Sequence, residues 1–289
     1  MLTIGGFVFL LICVFGGYIA AGGKIGIILH ALPFEFAIIG GAAAGTFAMA
    51  NTGSTVKHVL KEIKKVFAGP QFKRQDYEDL LCLLFQLLRV AKTKGAVGLE
   101  PHIEKPEESA AFSAYPGLLK DHFAVSLICD TLRMVTMNKD DPHQVEDMMS
   151  HELRKFQAHR LHLAHALQLV ADALPALGIV AAVMGVIKTM GSITEPPPIL
   201  GKMIGGALVG TFLGVLLAYG LVGPMATKMK AVFEEEIKFY EVIQAVLVAH
   251  LHGHAPQVSI ETGRKAIPED YMPSFAEVET LSSGLAPIS

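Results

Sequence analysis

Charge is what this chain has least of. Only 18% of its 289 residues are Asp, Glu, Lys or Arg, against about 25% in ordinary soluble domains. Hydrophobic residues make up 52%, and the mean hydropathy is +0.45. The net charge of −3 is too small to draw in a nucleic acid, so that class of partner is excluded. Cysteine is nearly as scarce: Cys13, Cys82 and Cys129 are far apart and form neither a CxxC pair nor a ligand cluster. They read as small buried hydrophobes, and nothing calls for an oxidising compartment. Enzyme signatures are missing too. Gly22-Gly23-Lys24 lacks the glycine spacing and the following Ser/Thr of a phosphate-binding loop, and there is no HExxH or GxSxG. No cofactor and no metal is expected, and the chain does not read as an enzyme.

Histidines supply the nearest approach to a ligand set. His250, His252 and His254 are spaced by two, which splays their side chains on a helix, and no carboxylate or thiol lies close by in sequence. His159, His162 and His165 have ligand-compatible spacings of three but read as polar residues at a membrane boundary.

What the chain has in quantity is long apolar sequence. Four stretches, about residues 2–21, 33–50, 167–190 and 203–222, reach or approach the roughly 20 residues that cross a bilayer core about 30 Å thick. They lack the polar residue every turn of an amphipathic core helix. The first begins at Met1 without a basic flank and reads as a retained helix rather than a signal peptide. Lys and Arg distribute unevenly between the connections. Residues 51–166 hold 16 and residues 225–289 hold five, whereas 22–32 hold only Lys24 and 191–201 none. Basic residues stay on the cytoplasmic side, so both large hydrophilic parts and both termini are expected in the cytoplasm.

The expected organisation is all-α and polytopic, in four parts. A first hairpin spans 1–51, a helical cytoplasmic domain 52–166, a second hairpin 167–224, and a helical extension with a tail 225–289. Within the cytoplasmic part, 57–67, 76–91, 117–139 and 142–165 are helical by pattern. The helix 76–91 has Asp76, Glu78 and Asp79 in its first turn and Arg89, Lys92 and Lys94 at its end, complementing the helix dipole; Gly95 suits a C-cap. Its six leucines (Leu80, Leu81, Leu83, Leu84, Leu87, Leu88) exceed one narrow stripe and require packing on two sides. The fourth span is expected to continue as a cytoplasmic helix to about residue 252. From Ala255 the chain is richer in Pro and Ser and reads as lacking a fold of its own.

The second hairpin carries the chemistry. Pro175, Gly178, Ala182, Gly185 and Thr189 share one helical face of the third stretch, and Gly206, Gly210 and Gly214 repeat every four residues in the fourth. Small-residue faces let backbones approach closely where lipid supplies no hydrophobic drive, and packing alone is one sufficient reading of them. Pro175 lies near the inner end of the third stretch, and Pro224 is expected to end the fourth on the same side. A proline frees a carbonyl about one turn upstream, which must find a partner because lipid offers none. Two prolines at one depth point to a wet or mobile spot, and Thr211 and Tyr219 add hydroxyls along such a path. No ionisable residue occurs near the middle of any stretch. Glu35 is expected to open the second helix at its outer side, and Asp172 sits near the inner start of the third. Ion carriers normally keep an ionisable group within the membrane; a channel made by this chain alone is disfavoured.

These residues resemble a known family. Residues 207–216 (ALVGTFLGVL) followed by Pro224, and residues 174–183 (LPALGIVAAV), are similar to the signature of the MotA family of flagellar motor stator proteins. So are Phe15-Gly16-Gly17-Tyr18, Gly22-Gly23, the block from Leu99-Glu100 to Tyr115-Pro116, Gly263-Arg264-Lys265 and Pro273-Ser274-Phe275. The resemblance implies a homo-oligomer, a ring of five chains in the bacterial inner membrane around two MotB subunits. MotB would supply the membrane aspartate this chain lacks, and proton flow would turn the ring against FliG of the rotor. Lys92 and Glu100 match the family's basic and acidic rotor-contact positions. Lys92 departs from the usual arginine and loses its bidentate fork, which gives Arg89 or Lys94 a share in the role. Sodium-driven relatives resemble this sequence with a threonine where Ala182 stands; Ala182 offers no oxygen ligand, so protons are favoured. Two other readings stay open: an energy-transducing channel subunit of the TolQ and ExbB type, and a passive membrane scaffold.

Overall fold

A computed structural model describes residues 2–136, 141–286 and 288. Among them every regular element is helical. In chain order the elements are α1 (Leu2–Ala20), α2 (Ile25–Ala50), α3 (Gly53–Glu62), α4 (Lys64–Ala68), α5 (Arg74–Glu104), α6 (Ala110–Ser113), α7 (Pro116–Leu119), α8 (His122–Thr136), α9 (Pro142–Met190), α10 (Pro197–Leu251), α11 (Pro256–Ala266) and α12 (Phe275–Ser283). Four of these, α1, α2, α9 and α10, contain a window long and apolar enough to cross a membrane.

The chain divides into two units, one of residues 1–69 and 159–232, the other of 70–158 and 233–289. Residues 52–69 and 159–166, grouped by sequence with the cytoplasmic block, cluster with the membrane helices. The hydrophilic unit is built around α5. All seven of its leucines, the six predicted and Leu99, are buried because α6, α7, α8, α11 and α12 surround it, joined in one core by Val145, Met149 and Leu153 of α9 and by Phe239, Ile243, Val246 and Leu247 of α10. Gly95 takes φ 67°, a left-handed conformation that costs glycine little, and breaks α5 into two segments. The helix read as 117–139 is two helices. Asp121 interrupts it, its Oδ1 accepting the N–H of Ala124 at 3.0 Å and its Oδ2 the hydroxyl of Tyr240 at 3.0 Å, so the side chain starts α8 afresh. The end of that predicted helix, 137–139, lies outside the described residues.

Three further expectations are corrected. First, the tail does fold: α11 and α12 pack on α5. Gly263 seats against the Val246 side chain, where a Cβ would collide. The Pro and Ser that suggested a tail without a fold of its own are start signals, with Pro256 in the first turn of α11 and Ser274 capping α12 in a reciprocal box with Glu277. Second, α2 and α10 start earlier than their apolar windows, at Ile25 and Pro197. Pro33 therefore lies inside α2, as membrane helices allow, and Glu35 does not open the helix. Third, Pro224 does not end the fourth span. A π-turn over Ala218–Val222 precedes it, with the Gly223 N–H donating to the Ala218 carbonyl five residues back. The wider turn absorbs the missing N–H and the ring, and the helix runs on to Leu251.

Candidate functional site

Within the membrane unit, α9 and α10 meet through their small residues. A Cβ added to Gly178 would lie 2.8 Å from the Gly210 carbonyl oxygen and 3.0 Å from the Gly214 Cα. One added to Gly214 would lie 2.7 Å from the Leu174 carbonyl oxygen and 2.8 Å from the Gly178 Cα. A Cβ on Gly185 would meet Ala207 at 2.6 Å. The Gly178–Gly214 approach is backbone to backbone and that of Gly185 is to the Cβ and Cα of Ala207, contacts that only hydrogen in place of a side chain permits. Thr189, on the same face, is buried and returns its hydroxyl to the Gly185 carbonyl at 2.9 Å. Gly206, the first glycine of the repeat, is different: its nearest neighbour would be the Ala31 side chain of α2 at 4.0 Å.

Pro175 stands next to this contact, one residue after Leu174. Its ring removes the N–H that would bond the Ala171 carbonyl, and Ala171 packs towards Gly223, whose added Cβ would sit 3.9 Å from it. Gly223 immediately precedes Pro224. The turn that Pro175 relaxes on α9 thus faces the π-turn that Pro224 follows on α10. A cleft of about 450 Å³ in the same unit is lined by Leu161, Ala164, His165 and Gln168 of α9 and Ala226, Thr227 and Lys230 of α10.

The other residues singled out from sequence separate. Ala182 is half-buried, and its backbone nitrogen lies 3.1 Å from where a Gly210 Cβ would be. Thr211, next in sequence to Gly210, is half-buried; Tyr219 is 72% exposed, in the π-turn. Lys92 and Glu100 are exposed on α5, on opposite sides of the Gly95 break. Arg89 and Lys94 are engaged within their own unit. The Arg89 guanidinium donates to the Leu285 carbonyl at 3.1 Å and the Ala286 carbonyl at 2.6 Å and lies over the Phe85 ring, while Lys94 donates to the Ile288 carbonyl at 3.3 Å.

Sequence reasoning missed Glu35. It is buried, only 7% exposed, eleventh of the 26 residues of α2, against Gly210. The signal was available: residues 25–32 are helix-compatible and nearly all apolar, so the span could have been extended upstream of Pro33. The histidine tract also resolves differently. Burial holds His250 below the usual histidine range against the opposing pull of a backbone hydrogen bond with His254, with the charge of Lys92 a smaller contribution in the same direction as burial. His252 stands instead with His143 and Glu146, all three exposed, their ligand atoms within 4.8 Å of one another; the spacing in sequence gave no hint of this grouping.

Comparison with known proteins places these features in context. The Motility protein A N-terminal family model matches residues 4–95, and that of the MotA/TolQ/ExbB proton channel family matches residues 119–242. The chain is 38% identical over 279 residues to Motility protein A of Escherichia coli strain K12, covering 96% of this chain and 94% of that one. Its fold is similar to that of a chain in the structure of C. jejuni MotAB, with TM-score 0.74 at 22% identity over 93% of this chain and 96% of that one. It is also similar to a chain of the flagellar MotAB stator complex from Bacillus subtilis, with TM-score 0.72 at 22% identity over 96% and 98%.

Proposed function

The chain belongs to the MotA/TolQ/ExbB proton channel family, alongside the motility protein A chains, and from that premise we propose that it is the MotA-type half of a flagellar stator that couples proton flow to torque. Membership is that of a multi-pass channel subunit, not an enzyme. On this reading α9 and α10 line the ion path, MotB contributes the aspartate that accepts the proton, and several copies of this chain, five by family resemblance, surround it. The observation that carries the reading is the meeting of the two proline turns, Ala171 against Gly223. It gives α9 and α10 a point of weak backbone hydrogen bonding beside an otherwise rigid glycine contact, where a protonation event in the partner can be converted into movement. Ala182 supplies no side-chain oxygen on this path, which favours protons over sodium. Four spans including the N-terminal helix α1, together with the folded tail, support the motility branch over the TolQ and ExbB branch. The basic residues flanking the spans support an inner-membrane location with both termini in the cytoplasm.

The cytoplasmic unit is proposed to push on FliG. Lys92 and Glu100 are the exposed charges assigned to it, and Arg89 and Lys94 support the contact by anchoring Leu285, Ala286 and Ile288 rather than by sharing it. Exposed charge pairs are worth about 0.2–1 kcal/mol each, which suits contacts that break at every step. Lys92→Glu and Glu100→Lys are each expected to lower swimming speed while leaving membrane insertion and partner binding unchanged. The double reversal is not expected to restore speed, since the partner charges lie on another protein. Normal motor torque in all these variants would remove the rotor assignment. The reading as a whole is tested by complementation: this chain, expressed with its MotB partner in a non-motile stator deletion strain, should restore swimming, and failure despite correct insertion would count against it.

A further inference from the structure

We propose that Glu35 is a proton-binding group of the conducting path, on the outer side of the partner's carboxylate. The inference rests on the stator reading and adds a residue to it. Ten residues separate Ile25 from Glu35 in α2, about 15 Å at 1.5 Å per residue, which is half of a bilayer core about 30 Å thick. The side chain is 7% exposed, and its Oε2 is buried with no hydrogen-bond partner among the described residues. It faces the α9–α10 contact: a Cβ on Gly210 would lie 2.7 Å from Oε2, 3.1 Å from the Ala181 Cβ and 3.1 Å from the Ala182 nitrogen. Glycine at 210 therefore leaves room that the carboxyl approaches, beside the backbone of Ala182, the position the family resemblance links to ion choice.

An ionised carboxylate without a partner is unstable in such a place, so the resting group is a neutral acid. The point on Gly210 that Oε2 approaches is otherwise bordered by the Ala181 methyl and the Ala182 backbone nitrogen. In the membrane-spanning parts of α2, α9 and α10 the remaining titratable side chains are His30, Asp172, Lys188, Lys202 and Tyr219, each more than one helical turn along its helix from this contact. Nothing nearby compensates a permanent charge, and an ionisable residue kept under these conditions marks a conduction route by default. In the relay, the acid O–H breaks as its proton passes through water to the partner's carboxylate. The Glu35 carboxylate then takes a proton from water on the outer side and is restored. No electron changes hands, and one proton moves inward per cycle.

The test is proton flux into vesicles holding the assembled complex, measured across a pH series. Glu35→Gln keeps the shape and cannot titrate; flux is expected to fall at least about tenfold at every pH, with the MotB partner still co-purifying. Glu35→Asp should keep measurable flux with a displaced pH midpoint. Wild-type flux and an unchanged pH profile in Glu35→Gln would overturn the proposal and leave Glu35 a packing residue, whereas a wild-type complex without flux would sink the stator reading itself. Should Glu35→Gln not assemble, the wild-type complex is treated with a lipid-soluble carbodiimide, across which a protonated carboxyl O–H adds. Adduct on the peptide containing Glu35, declining as pH rises, supports the proposal; no adduct at any pH overturns it.

Discussion

Gly214→Val is expected to abolish swimming and prevent a stable membrane unit, whereas Gly206→Val, in the same repeat, is expected to leave both nearly intact. The difference lies in what each new side chain meets. At position 214 even the Cβ would come within 2.7 Å of the Leu174 carbonyl oxygen and 2.8 Å of the Gly178 Cα. Both are backbone atoms, so no rotamer change relieves the clash, and the helices must part. Overpacking a tight contact costs about 1–3 kcal/mol, and parting the helices also loosens the turn next to Pro175. At position 206 the nearest atom is a side-chain carbon 4.0 Å away, an ordinary contact. There the better helix propensity of valine over glycine offsets minor crowding. Thermal unfolding of the two variants in detergent, alongside swimming, checks this directly. Equal loss at both positions would mean that the repeat acts through backbone flexibility, not through the close approach of α9 and α10.

The second large effect separates stability from function. Pro175→Ala restores the N–H that can bond the Ala171 carbonyl, and alanine is about 3 kcal/mol more favourable than proline in a helix interior. The variant should therefore melt no lower than the parent. Its α9 should also lose the relaxed turn that faces Gly223, and with it proton-coupled movement, so swimming is expected to stop. Pro224→Ala should act in the same direction, since the π-turn over Ala218–Val222 would no longer be needed to accommodate a ring. Stabilised but non-motile variants are the signature of a hinge. Normal swimming by Pro175→Ala would remove that role and return the small-residue faces to packing alone.

Much of this was legible in the sequence because it depends on local pattern. The four spans follow from composition and length, and the two-sided burial of α5 follows from six leucines that no single stripe could hold. The close α9–α10 contact follows from small residues at helical spacing, and the Gly95 break from a glycine placed after a basic helix end. What was not legible depends on where a helix starts or on contacts distant in sequence. His30 and Pro33 interrupt the apolar window, which hid the first two turns of α2 and moved Glu35 from the interior to an apparent edge. Proline and serine at helix starts looked like a tail without a fold of its own until α11 and α12 were seen against α5. The carbonyls that hold Arg89 belong to Leu285 and Ala286, and no periodicity within α5 announces them. Pro224 looked like a terminator because a π-turn has no sequence signature of its own.

Proton flux by each half of the complex tests the central claim most directly. Vesicles carrying this chain alone, the MotB partner alone, or both are given an inward proton gradient. Acidification of the lumen is followed with a trapped pH dye. The account predicts flux above that of empty vesicles only when both are present, because the chain contributes the walls of the path and Glu35 but not the aspartate at which the proton is handed on. Flux through this chain alone equal to that of the pair, or no flux from a correctly assembled pair, would contradict it.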